Sequence, residues 1–317
     1  MTGNPTLDAA IAVLAVIVGF TVSVLASRRA VDHTADLAAG TRLPPFVIGF
    51  TLLAVGTDLP EIANSIVASV SGHGDLNVGD SVGSAATQVT LILGLLPIVG
   101  GALVISKRRV ARIGIATVFA LLLGVALMAD GDISRLDAVV LVSAWIIGSA
   151  VTWGPPPSGA QMPLQLEAAA KAKKTFIALF SLAIVGGATI VAVWGLTQLA
   201  SAISVPEYLV AFFLASIGTS LPELVVTITA MKRGQSELAI GDALGATFVD
   251  STLSIGIGPL IAPIAVTTSL VIPGSLAAAA AVGVVALVLA IRGRHDWRSG
   301  FVFILIYLAF YVVLLNV

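Results

Sequence analysis

Carboxylates beside prolines occur at matched positions in two copies of one short motif. The first copy is GTDLPE at residues 56–61, and the second, 162 residues later, is GTSLPE at 218–223. A second matched stretch follows each copy at the same offset, GDSVGS at 79–84 and GDALGA at 241–246. Carboxylate, hydroxyl and amide oxygens suit hard cations such as Ca²⁺ and Na⁺, and the chain has no cysteine for a softer metal. The motifs therefore predict a site for a hard cation.

Four carboxylates fall near the centres of apolar segments long enough to cross a bilayer: Asp58, Glu61, Glu223 and Asp250. A charged carboxylate at the bilayer centre costs about 2.5–3.5 kcal/mol on insertion scales. No Lys, Arg or His falls at the same depth, so the missing partner is either a proton or a cation from solution. Asp80 and Asp242 lie nearer the starts of their segments, where we expect helix caps.

Helical spacing and two prolines gather further oxygens around these carboxylates. Residues four apart share a helix face, and three polar pairs have this spacing: Thr57 and Glu61, Thr219 and Glu223, and Ser84 and Gln88. Pro60 and Pro222 lack a backbone donor and disfavour helix at the preceding residue. Carbonyls freed at such a break are additional hard ligands inside an interrupted membrane helix.

The composition places these residues in a membrane. The chain has 317 residues, of which 58% are hydrophobic and 10% are charged, whereas soluble domains have about 25% charged residues. The net charge of −1 argues against a nucleic-acid partner. The Ala- and Val-rich composition favours a prokaryotic inner (cell) membrane. Lipid and ions are the expected partners, with no obligate protein partner.

Apolar stretches of about 20 residues predict ten membrane-spanning helices. They lie near 8–26, 44–70, 76–99, 110–129, 135–153, 175–199, 206–231, 238–261, 268–291 and 299–317. Of the 16 lysines and arginines, all except Arg135 fall in, or within three residues of, a connection that follows an odd-numbered span. The positive-inside rule then puts these connections in the cytoplasm and both termini outside.

The duplication divides the chain into two halves of opposite orientation. Because each half has five spans, the second copy of the motif enters the membrane from the opposite side, as in the inverted repeats of secondary transporters. Residues 1–153 form the first predicted repeat, 154–174 a cytoplasmic linker and 175–317 the second repeat. The matched motif regions are 50–97 and 212–259. The predicted fold class is therefore an all-α membrane protein of ten helices in two inverted repeats.

With these residues in place, the sequence resembles the membrane region of the Na⁺/Ca²⁺ exchanger family, within the cation/Ca²⁺ exchanger superfamily. That family carries two repeats, each with a G-T-S-x-P-E core followed by a G-N-x-x-G-S-N-x-x-[ND] helix. GTSLPE at 218–223 matches the core fully, and GTDLPE at 56–61 matches except at Asp58. The resemblance extends over the whole ten-span layout.

The resemblance implies a set of ion ligands. Glu61 and Glu223 would be the central Ca²⁺ ligands. Oxygens from both repeats would complete the Na⁺ and Ca²⁺ sites, namely Thr57, Thr219, Ser220 and the carbonyls near Ala54 and Ser216, while Ser84, Gln88 and Asp250 would line the site from spans three and eight. The family alternates access by sliding spans one and six against the rest.

Five departures from the family pattern concern the coupling ion more than the Ca²⁺ role. Asp58 replaces a serine and adds a carboxylate, and Ala246 replaces a serine and removes a hydroxyl ligand. Gln88 stands where Asn or Asp is usual, and Asp80 and Asp242 stand where Asn is usual. We expect a weaker Na⁺ site beside Ala246, with Asp58 either compensating for it or carrying a proton.

The leading prediction is a secondary active Na⁺/Ca²⁺ antiporter that uses one midplane carboxylate site and no cofactor. The alternative is a Ca²⁺/H⁺ exchanger, which the surplus of carboxylates favours, although the G-N-x-x-E-H motif of that branch is missing. An alternative from another class is an intramembrane aspartyl protease, whose G-x-G-D signature is absent because residues 77–80 read NVGD. A passive channel is a further alternative, but so many carboxylates would bind a divalent ion tightly and slow its passage.

Overall fold

The computed structural model describes residues 5–38, 47, 49–152, 168–232 and 234–314. These residues are mostly helical, and four two-residue strands lie in the connections. The helices are α1 Pro5–Ala38, α2 Ala54–Thr57, α3 Leu59–Val70, α4 Gly74–Thr87, α5 Leu93–Gly100, α6 Lys107–Leu127, α7 Arg135–Thr152, α8 Ala168–Ile203, α9 Glu207–Val210, α10 Ser216–Thr219, α11 Leu221–Lys232, α12 Ser236–Val249, α13 Ile255–Ile261, α14 Thr268–Arg292 and α15 Trp297–Leu314. The strands are β1 Leu103–Val104, β2 Asp132–Ile133, β3 Ile264–Ala265 and β4 Arg294–His295.

Seven helical stretches are long and apolar enough to cross a membrane, judged by length and composition: Leu7–Ala26, Gly74–Gly100, Lys107–Leu127, Ala172–Ile203, Glu207–Lys232, Ser236–Ile261 and Thr268–Arg292. They coincide with predicted spans one, three, four, six, seven, eight and nine. Shorter helices occupy the other three predicted spans: α3 follows a helix break in span two, α7 covers span five and α15 covers span ten. The membrane-helical class is therefore confirmed, while the count of ten crossings stays a prediction.

The predicted linker at 154–174 is only partly described. Residues 154–167 lie outside the described part of the chain, and residues 168–174 already form the first turns of α8. Helix α8, which covers predicted span six, therefore begins earlier than the predicted start at residue 175. The Ala- and Lys-rich stretch there has high helix propensity, which explains the longer helix.

Four π-helical segments interrupt the helices at related places in the two halves. Two precede the short helices α2 and α10, at Gly49–Leu53 and Ala211–Ala215, and two follow α4 and α12, at Gln88–Ile92 and Asp250–Ser254. Within each pair the two segments start 162 residues apart, which is the offset of the sequence motifs. Such wide turns occur frequently at functional sites. Here two of them immediately precede Ala54 and Ser216, and the other two begin at Gln88 and Asp250.

Glycines allow helices of one half to approach the other closely. A side chain at Gly83 in α4 would collide with the backbone of Phe212, and one at Gly245 in α12 would collide with the backbone of Phe50. The Phe50 ring in turn stacks on Phe248, with their centroids 5.9 Å apart. Small residues at helix crossings permit such contacts in membranes, where backbone approach and packing replace the hydrophobic drive of water. The two crossings therefore seat α4 and α12 against the interrupted helices.

The strands join the two halves through their connections. β1 pairs antiparallel with β4, with Leu103 opposite His295, and β2 pairs antiparallel with β3, with Ile133 opposite Ile264. The β1–β4 pair brings His295 into a fully buried position against Leu93, whose carbonyl lies 2.7 Å from Nε2. Each pair thus takes one strand from each half of the chain.

The two longest helices form a separate pair. Helix α1 packs mainly along α8, and glycines at the crossing let their backbones approach. Gly19 of α1 lies against Ala188 and Ala192 of α8, while Gly195 of α8 lies against Ala12 and Val16 of α1. This pair touches the interrupted helices, because the Phe20 ring covers Gly218.

Candidate cation site

Breaks in two helices position the central carboxylates. Helix α2 ends at Thr57, Asp58 leaves the helical conformation with φ −74° and ψ 9°, and α3 begins at Leu59. The second half repeats this geometry, since Ser220 has φ −78° and ψ 7° between α10 and α11. Pro60 and Pro222 then occupy first-turn positions, where a missing N–H costs least. The predicted interruptions at both prolines are confirmed.

Each break places a glutamate in the first turn of the helix that follows. Glu61 lies in the first turn of α3 and Glu223 in the first turn of α11. The N-terminal end of a helix carries partial positive charge and unpaired N–H groups, so it favours an anionic side chain. The two helix starts thereby offset part of the cost of burying these carboxylates.

Three carboxylates from the two halves converge at one point. Ligand oxygens of Asp58, Glu61 and Glu223 all lie within 4.8 Å of one another, and all three residues are fully buried. Asp250, also fully buried, is close enough to Asp58 and Glu61 for their charges to interact. Like charges at this spacing repel strongly away from water. The arrangement therefore requires a positive ion or protons among these oxygens.

Hydroxyl and amide groups surround the carboxylates. Ser84 Oγ donates to Glu61 Oε1 at 3.3 Å and lies 3.3 Å from Thr219 Oγ1. Ser220 Oγ donates to the same glutamate oxygen at 3.4 Å. Gln88 Nε2 donates to Asp58 Oδ1 at 3.4 Å. The structure thus brings the predicted side-chain ligands from spans two, three and seven into one contact network.

Several buried carboxylate oxygens have no hydrogen-bond partner: one each on Asp58 and Glu61, and both on Glu223, Asp242 and Asp250. Within the described ranges, no ion pair links any of these carboxylates to a lysine, arginine or histidine. A buried acceptor without a partner costs about 1–3 kcal/mol, and more when it is charged. A bound cation would satisfy these oxygens, so their chemistry fits the hard cation expected from the sequence.

Asp80 and Asp242 are not helix caps, and that prediction is wrong. The residues that cap α4 and α12 are His73 and Gln235, and both aspartates lie fully buried in the helix interiors. Asp80 Oδ1 accepts from Thr219 Oγ1 at 3.0 Å, and Asp80 Oδ2 accepts from Asn64 Nδ2 at 2.7 Å. The close crossing of α4 with the other half carries Asp80 inward.

Asn64 was missed by the sequence reasoning, although a signal for it was present. It follows Glu61 by three residues, so the two share a face of α3. Val226 occupies the equivalent position in the second half. Asp242 therefore has no counterpart of the Asn64 amide, which agrees with its two unpartnered oxygens.

The carbonyls of Ala54 and Ser216 lie at the breaks as expected, but they are not free. Ala54 O accepts from Asp58 N at 2.9 Å and from Thr57 Oγ1 at 3.1 Å, and Ser216 O accepts from Ser220 N at 3.1 Å. The carbonyls that lose a helical donor are those four residues before each proline, at Gly56 and Gly218.

Buried carboxylates from two related halves, gathered between interrupted helices, define a membrane protein with a candidate cation site. The chain belongs to the family described as sodium/calcium exchanger protein, whose model matches residues 11–154 and again residues 173–316. This family consists of transporters that exchange cations across membranes, so the protein is a transmembrane antiporter rather than an enzyme. The family expected from the two motifs is therefore confirmed.

Individual relatives agree with this assignment. A putative antiporter, CaxA of Alkalimonas amylolytica, is 28% identical over 265 residues, which cover 80% of this chain and 82% of the relative. The solved sodium–calcium exchanger NCX_Mj shares the fold with a TM-score of 0.65 at 23% identity, over 95% of this chain and 97% of that one. The solved H⁺/Ca²⁺ exchanger CAX shares it with a TM-score of 0.79 at 16% identity, over 95% of this chain and 82% of that one.

Proposed function

We propose that the protein is a Na⁺/Ca²⁺ antiporter that binds its ions in turn at one carboxylate site near the membrane midplane. The observation that carries this proposal is the convergence of Asp58, Glu61 and Glu223 within 4.8 Å, buried and without a basic partner. Carboxylate, hydroxyl and amide oxygens at such a point match the ligand preference of Ca²⁺. Ca²⁺ and Na⁺ are the transported substrates in this proposal.

Exchange follows from the charge of the site. A few carboxylates neutralise one divalent ion or several monovalent ions, but they cannot neutralise both at once. Binding of Na⁺ therefore displaces Ca²⁺, and the Na⁺ gradient drives Ca²⁺ in the opposite direction. Glu61 and Glu223 would hold the Ca²⁺ ion. The remaining proposed ligands are Thr57, Asp58, Ser84, Gln88, Thr219, Ser220, Asp250 and the carbonyls at Ala54 and Ser216.

The proposed architecture is ten spans in two inverted repeats of five, with the linker in the cytoplasm and both termini outside. The family match supports the division, because its two segments start at residues 11 and 173, 162 residues apart. The positions of the basic residues support the orientation. The composition supports a prokaryotic inner membrane.

Alternating access requires one part of the protein to move relative to another. The two strand pairs join connections of the two halves to each other. We therefore assign the helices that follow these strands, α6, α7, α14 and α15, to the static part. Helices α1 and α8 pack mainly along each other and meet the interrupted helix through Phe20. We therefore assign the movement to the α1–α8 pair.

The decisive experiment is ⁴⁵Ca²⁺ uptake into proteoliposomes that contain the full chain. One set of vesicles carries an outward Na⁺ gradient and a second carries an outward H⁺ gradient. We expect uptake with the Na⁺ gradient only. We also expect Glu61→Gln and Glu223→Gln to abolish it, because each change removes a charge that the Ca²⁺ ion needs.

The matched control is Glu237→Gln. Glu237 is an exposed carboxylate near the start of α12 that pairs with Arg109 at 3.8 Å. The same Glu-to-Gln change can therefore be made there, away from the buried cluster. Uptake by this variant should equal that of the unaltered protein. Full uptake by correctly folded Glu61→Gln or Glu223→Gln protein would exclude the proposed site.

A Ca²⁺/H⁺ exchanger is the second candidate, and the extra buried carboxylates favour it. Asp58 and Asp242 add carboxylates beside the two glutamates, and Asp242 has two unpartnered oxygens that a proton would satisfy. Uptake driven by the H⁺ gradient alone would establish this alternative. In that case Asp58→Ser, which restores the family residue, should reduce the H⁺-driven rate.

A further inference from the structure

An apolar groove runs along the outer surface between α6 and α14, away from the cation site. It encloses about 470 Å³, and all of its lining residues are apolar. Small residues form its floor, including Gly114, Gly283 and Ala290, because α6 and α14 pack so closely that a side chain at Gly114 would collide with Ala286. Large side chains stand beside it as walls.

The walls project into the lipid phase. Ile115 and Phe119 of α6 are 71% and 66% exposed, and Leu287 of α14 is 60% exposed. The lining on α6 extends from Ala111 to Leu122, which corresponds to about 16 Å of helix. One leaflet of the hydrocarbon core is about 15 Å thick. The groove therefore matches the length of an acyl chain from a single leaflet.

One end of the groove is basic. Arg108 precedes Ala111 by three residues and Arg112 precedes Ile115 by three, so both continue the groove face toward the start of α6. Both arginines are exposed, and in the part of the chain that the structure describes neither forms an ion pair. Lys107 Nζ donates to Ile291 O at 2.7 Å and so holds the end of α14 beside the same opening.

We propose that this groove is a binding site for an anionic phospholipid. Its acyl chain lies between α6 and α14, and its phosphate is held by Arg108 and Arg112. An apolar channel one leaflet long that ends at two unpaired guanidinium groups complements this ligand in shape, polarity and charge. A zwitterionic lipid shares the acyl chain but not the net charge, so it binds more weakly.

The test uses native mass spectrometry of the delipidated full chain in detergent, titrated with dioleoyl phosphatidylglycerol or with dioleoyl phosphatidylcholine. We expect tighter binding of phosphatidylglycerol. Replacement of both arginines, Arg108→Gln with Arg112→Gln, should weaken phosphatidylglycerol binding about 25-fold, from about fivefold per arginine, and weaken phosphatidylcholine binding less. Gly283→Leu should remove both lipids, because a Cβ at Gly283 has only Val118 at 3.7 Å nearby and a leucine would fill the groove.

Two control variants match these changes. Arg29→Gln alters an exposed arginine of α1, a helix that packs mainly along α8. Gly187→Leu alters an exposed glycine of α8 that has no neighbour within 4 Å of an added Cβ. Both should bind phosphatidylglycerol as the unaltered protein does. Because the two arginines are exposed, their variant tests the proposal even if Gly283→Leu fails to fold.

Three outcomes would overturn the proposal. The first is equal affinity for the two lipids, and the second is phosphatidylglycerol binding that survives the double arginine replacement. The third is a mass that corresponds to a dimer of the unaltered chain, together with a monomer mass for the Gly283→Leu variant. That result would make the groove an interface between two copies.

Discussion

The hydrogen bond between Thr219 and Asp80 offers a sharp test of how the two halves are held together at the site. Thr219 belongs to the second half and Asp80 to the first, and their oxygens lie 3.0 Å apart. Both residues are fully buried. The Thr219 hydroxyl lies 3.0 Å from both Asp80 Oδ1 and Ala215 O. Thr219→Val keeps the shape of the side chain but removes this hydroxyl, so Asp80 Oδ1 loses the contact.

The expected loss follows from the type of bond. Removing the donor leaves a buried acceptor unsatisfied, which costs about 1–3 kcal/mol, so Thr219→Val should lower the free energy of unfolding by that amount. Thr117→Val is the matched control, because Thr117 is equally buried but donates only to the carbonyl of Ile113, at 3.0 Å within its own helix. Its expected loss is about 0.5 kcal/mol, at the low end for a neutral bond.

The assay is reversible unfolding in mixed micelles of dodecyl maltoside and dodecyl sulfate, followed by circular dichroism. A double-mutant cycle adds Asp80→Leu, which removes the acceptor. The double variant should lose at least about 1 kcal/mol less than the sum of the two single losses, since contacting residues are not additive. Equal losses for Thr219→Val and Thr117→Val, or an additive cycle, would refute the bridging role.

Two further predictions concern packing and pH. Gly83→Ala should lower the thermal unfolding midpoint, because the added methyl collides with the backbone of Phe212 at a cost of about 1–3 kcal/mol. Gly187→Ala is the control, and because it has open space around it, its higher helix propensity, worth up to about 1 kcal/mol, should raise the midpoint. The reverse order of the two midpoints would contradict the assigned crossing. Burial lowers the pKa of His295, which lies in the connection before α15. The unfolded histidine titrates near pH 6.5, so its contribution to stability is present above about pH 6.5 and is lost as the pH falls below it, because the unfolded chain then binds the proton that the fold excludes. His295→Gln should reduce the fall in unfolding free energy between about pH 7.5 and about pH 5.5, and an unchanged fall would exclude His295 as its source.

The sequence was sufficient to predict which carboxylates come together, because its signals are local. Two motifs at a constant offset identified the helix breaks at Pro60 and Pro222. The cost of charge in lipid singled out Glu61 and Glu223 without any knowledge of their neighbours. Helical spacing also placed Ser84 and Gln88 on one face, and both contact carboxylates of the interrupted span two.

The inward position of Asp80 was not predictable from local spacing. Distance along a span suggested a position near the membrane surface, but the burial of Asp80 depends on α4 crossing the other half at Gly83. The burial of His295 is likewise a long-range effect of the β1–β4 pair. The π-helical segments have no composition signal, because one extra residue in a turn leaves the apolar pattern of a fully buried helix unchanged. The same limitation applies to Asn64, whose partner Asp80 lies on another helix.

The crossing of the two halves also has a consequence for biosynthesis. Asp80 accepts a hydrogen bond from the Thr219 hydroxyl, and Glu61 accepts one from the Ser220 hydroxyl. Both donors are made about 140–160 residues later in the chain, which takes about 7–32 s at ordinary translation rates. During that interval the first half sits beside lipid while Asp80 and Glu61 lack these two donors. The lifetime of this exposed intermediate is set by the ribosome rather than by the folding rate, so a translational pause after residue 153 would lengthen it and increase the time available to quality-control proteases.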